Sequence, residues 1–281
     1  MKKIAIIEIK GGLGNQLFQY NFSRIFSDKE FIVFYNFNFF KNFEKIEENN
    51  TKRELQLSFL NYKFKETNTF FLNAVKLLNI CINSKKLNKF FPFVNKYIFK
   101  FYKERDFDKN FKQNKFALIN YFDGYWQDIK YLSNHEGLLK DLFINKQKFS
   151  SKPDVVIHIR RNDYLKLGIE LNLKYYTESI GYLENKLESF KFDVFTDDKK
   201  WVLEQNIFSN CNNIYDNFDE PIKAFQMMRS YKHFIIANST FSYLAAFLSE
   251  SNDSIVCYPS IWNRNKEFNS LKNRSWIEVS S

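Results

Sequence analysis

This chain uses little arginine. Its basic residues comprise 34 lysines and only eight arginines. Cysteine is scarcer still: Cys81, Cys211 and Cys257 are odd in number and far apart, with no C-x-x-C pair and no Cys/His ligand spacing. That argues against a disulfide scaffold and against a zinc site, and it fits a reducing compartment. Long apolar runs are also missing. The N-terminal stretch MKKIAIIEIK is too short for a signal peptide and is interrupted by Glu8 and Lys10. Nowhere do ~18 apolar residues follow one another, so no membrane span is expected. The expectation is a cytoplasmic protein. There is no block of five or six like charges, no internal repeat, and no low-complexity segment beyond a general bias toward Lys, Asn and Phe.

What is present is ample for a core. The chain has 281 residues, 44% of them apolar, enough for one large domain or two of ordinary size. The formal net charge is +10, but with the lysines spread along the chain this reads as compositional drift, not as a polyanion-binding surface. Nucleic acid is not an expected partner. Weak peripheral contact with the anionic inner face of a cell membrane remains compatible with the charge.

The order of elements points to an α/β protein. Residues 4–9 read as a buried strand, KGGLGNQ as a loop, and LFQYNFSRIFSD as a helix with Leu17, Phe18, Phe22, Ile25 and Phe26 on one face. FIVFYNF (31–37) is a second strand. Strand, glycine loop, helix, strand is the opening of a doubly wound domain. Residues 40–115 read as helices and loops, with a helix at 70–82 and an aromatic stripe that suits a core better than a stacking surface. FALINYFDGYWQDIKYL (116–132) reads as a strand, a turn at Gly124 and the start of a helix. From 150 onward strands are expected at DVVIHIR, 192–198, 213–215, 233–238 and 254–259, with helices near 174–189, 219–231 and after Ser239. SSKPD (150–154) is the linker candidate. Two α/β halves joined there would leave a cleft facing the C-terminal ends of both sets of strands.

Three stretches could carry chemistry. In Gly11-Gly12-Leu13-Gly14-Asn15-Gln16, glycines let the backbone turn and approach a ligand, and the following helix offers N–H groups and a positive dipole to an anion. A dinucleotide fingerprint fits poorly, because Leu17 fills the third glycine position and Asn36 and Asn38 stand where a ribose-binding acid belongs. A purely structural turn is the alternative. In HIRRNDY, two of the eight arginines sit together at a strand end. His158 and Arg160 share one face and Arg161 the other. Guanidinium binds phosphate bidentately and stays charged, so the position suits a pyrophosphate clamp oriented by Asp163; a plain surface ion pair would also explain it. In ANSTFSYLAA, Asn238, Ser239 and Thr240 lie where strand becomes helix and could cap it or hold phosphate. Asp197 and Asp198 end the strand before; they could bind a ribose or base, or begin the next helix, and no further carboxylate cluster supports a metal.

Taken together, GGLGNQLFQY, HIRRNDY and IIANSTFSYLAA, with GYWQDIKYL, VFTDD and AFQMMRSYKH in order between them, resemble the α-1,2-fucosyltransferases of glycosyltransferase family 11. The resemblance covers nearly the whole chain and is weakest over 40–115. It implies a GT-B-like fold, two Rossmann-like doubly wound domains facing a cleft. Residues 1–150 would form the acceptor-side domain with a helical insertion, and 151–281 the nucleotide-sugar domain. It implies inverting transfer of L-fucose from GDP-fucose to the 2-hydroxyl of a terminal galactose, without a metal. Arg160 would grip the donor pyrophosphate with Arg161 beside it, and His158 and Asp163 would order the motif. Gly11, Gly12, Gly14 and Asn15 would approach the donor from the N-terminal domain, while Asp197, Asn238, Ser239 and Thr240 line the nucleotide side. Asp163 and Glu8 are the motif carboxylates nearest the role of general base, and the choice between them stays open. The sequence departs from the family at Tyr243 and Leu244, where two tryptophans are usual. If those positions only pack the helix the chemistry is unchanged; if they shape the cleft, acceptor or donor choice shifts. The competing readings are a nicotinamide-dependent sugar oxidoreductase or epimerase, a related transferase using another nucleotide sugar, and a non-catalytic basic binder.

Overall fold

Two all-parallel sheets form, in a computed structural model that describes residues 2–27, 30–41, 53–60, 62–83, 97–107, 113–133, 154–216, 220–263, 266–267, 270–273 and 275–281. The chain divides into two compact units, residues 1–135 and 136–281. Of the expected linker, only Asp154 lies among the described residues.

The N-terminal unit runs β1 (Lys3–Glu8), α1 (Leu13–Ser27), β2 (Phe31–Asn36), a short α2 (Asn38–Lys41), α3 (Thr69–Asn83), β3 (Phe99–Lys103), β4 (Ile119–Asp123) and α4 (Ile129–Ser133). Its sheet has the order β2-β1-β4-β3. β1 is central, which is why its apolar run is continuous: Ala5, Ile6 and Ile7 are fully buried. Helix α1 departs from the single apolar face expected of it. Beyond Leu17, Phe18, Phe22 and Phe26, it also buries Gln16, Gln19, Asn21 and Ser23. Each of these side chains makes at least one hydrogen bond, which offsets its burial, although Asn21 Oδ1 is left without a partner. The phenylalanine-rich composition is largely core: Phe22, Phe26, Phe107, Phe116 and Phe122 meet edge-on or tilted, and Phe22 stacks on Trp126 at 3.8 Å. The reading of 40–115 as helices and loops needs correction. Helix α3 is where it was expected, but β3 is a strand, paired in register with β4 at the sheet edge. Its Phe99 and Phe101 face one side while Lys100 and Tyr102 face the other, the period-2 pattern of a strand, and Lys103 ends it exposed at the edge, where lysines deter stray pairing.

The C-terminal unit runs β5 (Val155–Ile159), α5 (Asn162–Leu167), α6 (Leu173–Glu184), β6 (Phe192–Thr196), α7 (Lys199–Leu203), β7 (Asn213–Tyr215), α8 (Pro221–Met228), β8 (His233–Ile235), α9 (Thr240–Phe247), β9 (Val256–Pro259), the hairpin β10 (Ile261–Asn263) and β11 (Lys266–Glu267), and β12 (Ile277–Val279). The main sheet has the order β12-β9-β8-β5-β6-β7. Its core gathers Val155, Ile157 and Ile159 of β5 with Tyr175, Ile180, Leu183, Val194, Ile235 and Cys257. Asn172 caps α6, its Oδ1 accepting from the Tyr175 N–H at 2.9 Å. Pro221 opens α8, where its missing N–H costs nothing. Helix α5, the hairpin and β12 are additions to the expected element list.

Candidate active site

In the C-terminal unit the chain builds β5, β6 and β7 outward in one direction, then returns to lay β8 on the other side of β5. The switch point between β5 and β8 leaves a crevice at the carboxyl ends of the strands, the usual ligand position in an open parallel sheet. HIRRNDY ends β5 there, TDD ends β6 beside it, and NST follows β8. The topology therefore brings together Arg160, Arg161, Asp163, Asp197, Asn238, Ser239 and Thr240.

Arg160 is held on two sides. Its Nε donates to Asp163 Oδ1 at 3.0 Å, Nη2 lies 2.8 Å from the same oxygen, and Nε is 3.1 Å from Asp197 Oδ2. Tyr164 lies under it, 5.7 Å from ring centre to guanidinium carbon. Burial works against the Arg160 charge, but Asp197 and Asp163 outweigh it and raise its pKa above the usual arginine value. The fork is thus fixed, charged and still about a quarter exposed, at 23% for the side chain.

Arg161 is turned to other partners. Its Nε donates to Asp198 Oδ2 at 3.2 Å and its guanidinium stacks 4.1 Å from the Trp201 ring. Its backbone N–H donates to Asp197 Oδ1 at 2.7 Å, and Asn162 Nδ2 donates to the Asp197 carbonyl at 2.6 Å. Asp198 also caps α7 through the Trp201 N–H. So the two carboxylates at the end of β6 lock the arginine loop to the neighbouring strand. On the β8 side, Asn238 Nδ2 donates to the carbonyls of Ile169 and Trp262, and its own carbonyl accepts from Tyr164 at 3.2 Å. Ser239 caps α9 by accepting from the Phe241 N–H at 3.4 Å, and Thr240 is the first helical residue.

His158 lies deeper. It is nearly buried, with its ring 5.9 Å from that of Phe241. Burial, then the Arg160 charge, push its pKa down to about 3, so at neutral pH it is an uncharged packing group below Arg160.

The N-terminal unit has its own switch point, between β1 and β4. Gly11 turns the chain there with φ +80°, and a Cβ on it would come 2.8 Å from Asn15 Nδ2. Gly12 and Gly14 follow at the start of α1, and Asn15 Oδ1 accepts from Gln127 Nε2 at 2.9 Å. Two glutamines fasten the loops. Gln19 accepts from the Lys10 N–H at 2.9 Å and donates to the Gly124 carbonyl at 3.0 Å. Gln16 donates to the Gly11 and Glu54 carbonyls and accepts from the Gln56 N–H. Past β4, Trp126 takes φ +56°, rare for a bulky residue. Glu104 holds that turn by accepting from the Tyr125 and Gln127 N–H groups at 2.9 and 3.0 Å. Glu8 is 3.8 Å from Lys10, whose ammonium is bonded to Asp123. Burial lowers the Lys10 pKa, but Asp123 and Glu8 together more than reverse it. Tyr125 stands half-exposed beside this group, 5.5 Å from the Lys10 ammonium.

Sequence reasoning missed Gln16, Gln19, Glu104 and Trp126. Gln16 lay inside the quoted glycine motif, whereas nothing local marks Glu104, whose partners are about twenty residues away. Tyr243 and Leu244, the departure noted above, are both fully buried. Tyr243 donates to the Leu271 carbonyl at 2.9 Å and meets Trp276 at 4.9 Å; the positions pack the helix.

No three His, Cys, Asp or Glu side chains among the described residues converge as a metal site. Nor is any helix among them long and apolar enough to cross a membrane. The profile of glycosyl transferase family 11 matches residues 4–280. The chain belongs to that family. It is a glycosyltransferase, which removes the oxidoreductase and non-catalytic readings. Similar proteins include an alpha-1,2-colitosyltransferase of Escherichia coli, 28% identical over 308 residues, spanning 98% of this chain and 99% of the relative. Another is the E. coli O-antigen biosynthesis glycosyltransferase WbnK, 28% identical over 315 residues, 96% and 99%. Among solved structures, NodZ alpha-1,6-fucosyltransferase soaked with GDP-fucose aligns at TM-score 0.46 and 12% identity, over 88% of this chain and 93% of the other. E. coli heptosyltransferase WaaC with ADP aligns at 0.47 and 8%, over 99% and 93%.

Proposed function

We propose that this family 11 enzyme moves L-fucose from GDP-fucose to the 2-hydroxyl of a terminal galactose, with inversion, during synthesis of a bacterial surface polysaccharide. The observation that carries the reading is Arg160: a guanidinium fixed by two carboxylates, charged and part-exposed, at the switch point of the C-terminal sheet. In the reaction the acceptor hydroxyl oxygen bonds to the sugar C1 from the face opposite GDP. The C1–O bond breaks and its electron pair stays on the β-phosphate. That charge needs preorganised donors. Arg160 supplies two or more N–H groups, and the first N–H groups of α9, capped by Ser239 with Thr240 behind it, supply a dipole. Asp163 and Asp197 keep the fork aimed, and Arg161 fastens the loop through Asp198 and Trp201. The acceptor proton goes to a carboxylate, Asp163 or Glu8.

The N-terminal unit takes the acceptor in this reading. Its loop at Gly11–Asn15 and its Tyr125 present backbone and an aromatic face, which suit a neutral sugar. A second reading is favoured by one observation, the name of the E. coli colitosyltransferase: the donor is a GDP-linked deoxyhexose other than fucose. Incubating the protein with GDP-fucose, other GDP- and UDP-sugars and lactose, without Mg²⁺, tests both. A fucosylated lactose with a 1,2 linkage is expected. Turnover of only a different GDP-deoxyhexose would favour the second reading, and turnover of UDP-sugars alone would overturn both.

A further inference from the structure

Between α5 and α6 the chain passes the end of β8. Gly168 ends α5 with φ +60°, and the Ile169 N–H donates to the Tyr164 carbonyl at 3.1 Å. The Ile169 carbonyl accepts from Asn238 Nδ2 at 2.7 Å, Leu171 is buried, and Asn172 caps α6. Glu170 is thus pinned by its neighbours on both sides, next to the residue that closes β8.

Two acceptor oxygens here lack donors. Glu170 Oε2 is buried without a hydrogen-bond partner, and so is Asn238 Oδ1, on a side chain whose Nδ2 is taken by the Ile169 and Trp262 carbonyls. Asn238 is only 5% exposed. Such orphaned acceptors cost stability, and native chains keep few of them. Both belong to the surroundings of the phosphate anchors. Asn238 directly precedes Ser239, the cap of α9, and its backbone carbonyl accepts from Tyr164, whose ring lies under Arg160. Oxygens that only accept repel a phosphate. Among the described residues no three His, Cys, Asp or Glu converge to hold a metal there either. What the pair needs is O–H or N–H donors. In a nucleotide sugar the groups joined directly to the diphosphate are two sugar rings, ribose on one side and the transferred hexose on the other, and both carry hydroxyls. The base lies one ring farther away.

We propose that Glu170 and Asn238 form a subsite that accepts hydrogen bonds from ring hydroxyls of the bound nucleotide sugar, those of its ribose or those of the transferred hexose. The inference rests on the reading that such a donor binds at Arg160. Glu170 then determines specificity, because a donor without the matching hydroxyl leaves the carboxylate oxygen buried and unpaired, a heavier penalty than the loss of a contact.

The test is Glu170→Gln, which keeps the shape but puts an N–H donor where an acceptor was. It is read by calorimetry with GDP and with 2′,3′-dideoxy-GDP, and by steady-state kinetics with the GDP-sugar that the parent turns over. If the hydroxyls are those of the ribose, the variant should bind GDP about 10–100-fold more weakly, and the preference for GDP over the dideoxy compound should be confined to the parent. If they are those of the hexose, GDP affinity should hold while kcat/KM for the GDP-sugar falls about 10–100-fold. In both cases the melting temperature should hold or rise, since the folded chain sheds a buried carboxylate oxygen without a partner. The subsite is overturned if GDP affinity and kcat/KM both stay within about threefold of the parent, less than one such hydrogen bond is worth. It is also overturned if they fall together with the melting temperature, the mark of a carboxylate that only holds the loop. A parent that binds no GDP at all would overturn the proposed function and this subsite with it, whatever the variant does.

Discussion

The two switch points are held by opposite means. At the end of β5, charge does it: Arg160 lies between Asp163 and Asp197, and Arg161 between Asp198 and Trp201. At the end of β1, side-chain amides do most of it. Gln19 joins Lys10 to Gly124, Gln16 joins Gly11 to the 54–56 segment, and Glu104 closes the turn at Trp126. A loop held by ion pairs can exchange a carboxylate for an incoming phosphate and keep its guanidinium paired, the displaced carboxylate turning to water. A loop held by amides to its backbone keeps a fixed shape and offers hydrogen bonds, but has little to give an anion. On the proposed function, the first side stabilises the leaving group and the second positions the acceptor.

The sharpest way to break that contrast is Arg160→Lys. Lysine keeps the charge but loses the planar fork. If the fork is the transition-state contact, kcat/KM should fall about 10²–10³-fold, as for loss of one oxyanion donor, with little change in melting temperature. Steady-state kinetics with varied donor decide it, and a loss under threefold would remove Arg160 from the chemistry. Gln19→Ala is the matching probe on the other side. It leaves the part-buried Lys10 N–H and Gly124 carbonyl without these partners, so urea denaturation should show a loss of about 1–2 kcal/mol. The acceptor KM should rise while GDP affinity, read by calorimetry, holds. Equal loss of both affinities would mean that the two sides do not divide the work.

A pH series tests the buried layer beneath the charged side. The His158 pKa is about 3 in the folded chain against 6.5 for the free side chain. As pH falls through 6.5, the unfolded state takes up a proton that the folded state refuses. Stability from this residue is therefore whole above that pH and is lost progressively toward 3. Between pH 7.5 and 5 the loss should be roughly 2 kcal/mol. His233, also lowered by burial, acts in the same direction. His158→Gln should flatten the dependence by about that amount, measured as the difference between unfolding free energies at the two pH values.

The charged side was much more legible in the sequence than the amide side. HIRRNDY stands out because arginine is rare here and because an apolar run announces the strand that aims it. VFTDD and ANST likewise sit at ends of strands whose hydrophobic runs are plain. The glycine loop was visible, since Gly11 must supply a positive φ. What holds that loop was not. Gln19 looked like a polar residue on a helix whose apolar face was elsewhere, and its role appears only once α1 is buried nearly all round. The partners of Glu104 are fixed by β3 pairing with β4, and β3 itself hid in a segment where aromatic residues are everywhere. Strand β12 and the β10–β11 hairpin are too short for any period to show. Long-range pairing, not local pattern, decides such elements.

The smallest effect is expected at Tyr243, and it bears on whether donor choice has moved. Restoring the family residue with Tyr243→Trp changes a side chain with no exposure, whose hydroxyl bonds to Leu271 and whose ring contacts Trp262, Trp276 and Phe247. The larger indole must be fitted into a filled core, and the Leu271 carbonyl loses its partner unless the indole N–H reaches it. A stability loss of about 1–3 kcal/mol follows. Because no atom of this residue reaches the surface where a donor would lie, the ratio of kcat/KM between two GDP-sugars should shift less than threefold. A tenfold shift would show that packing behind α9 moves Ser239 and Thr240 enough to set donor choice, and the family tryptophans would then belong to specificity as well as to the core.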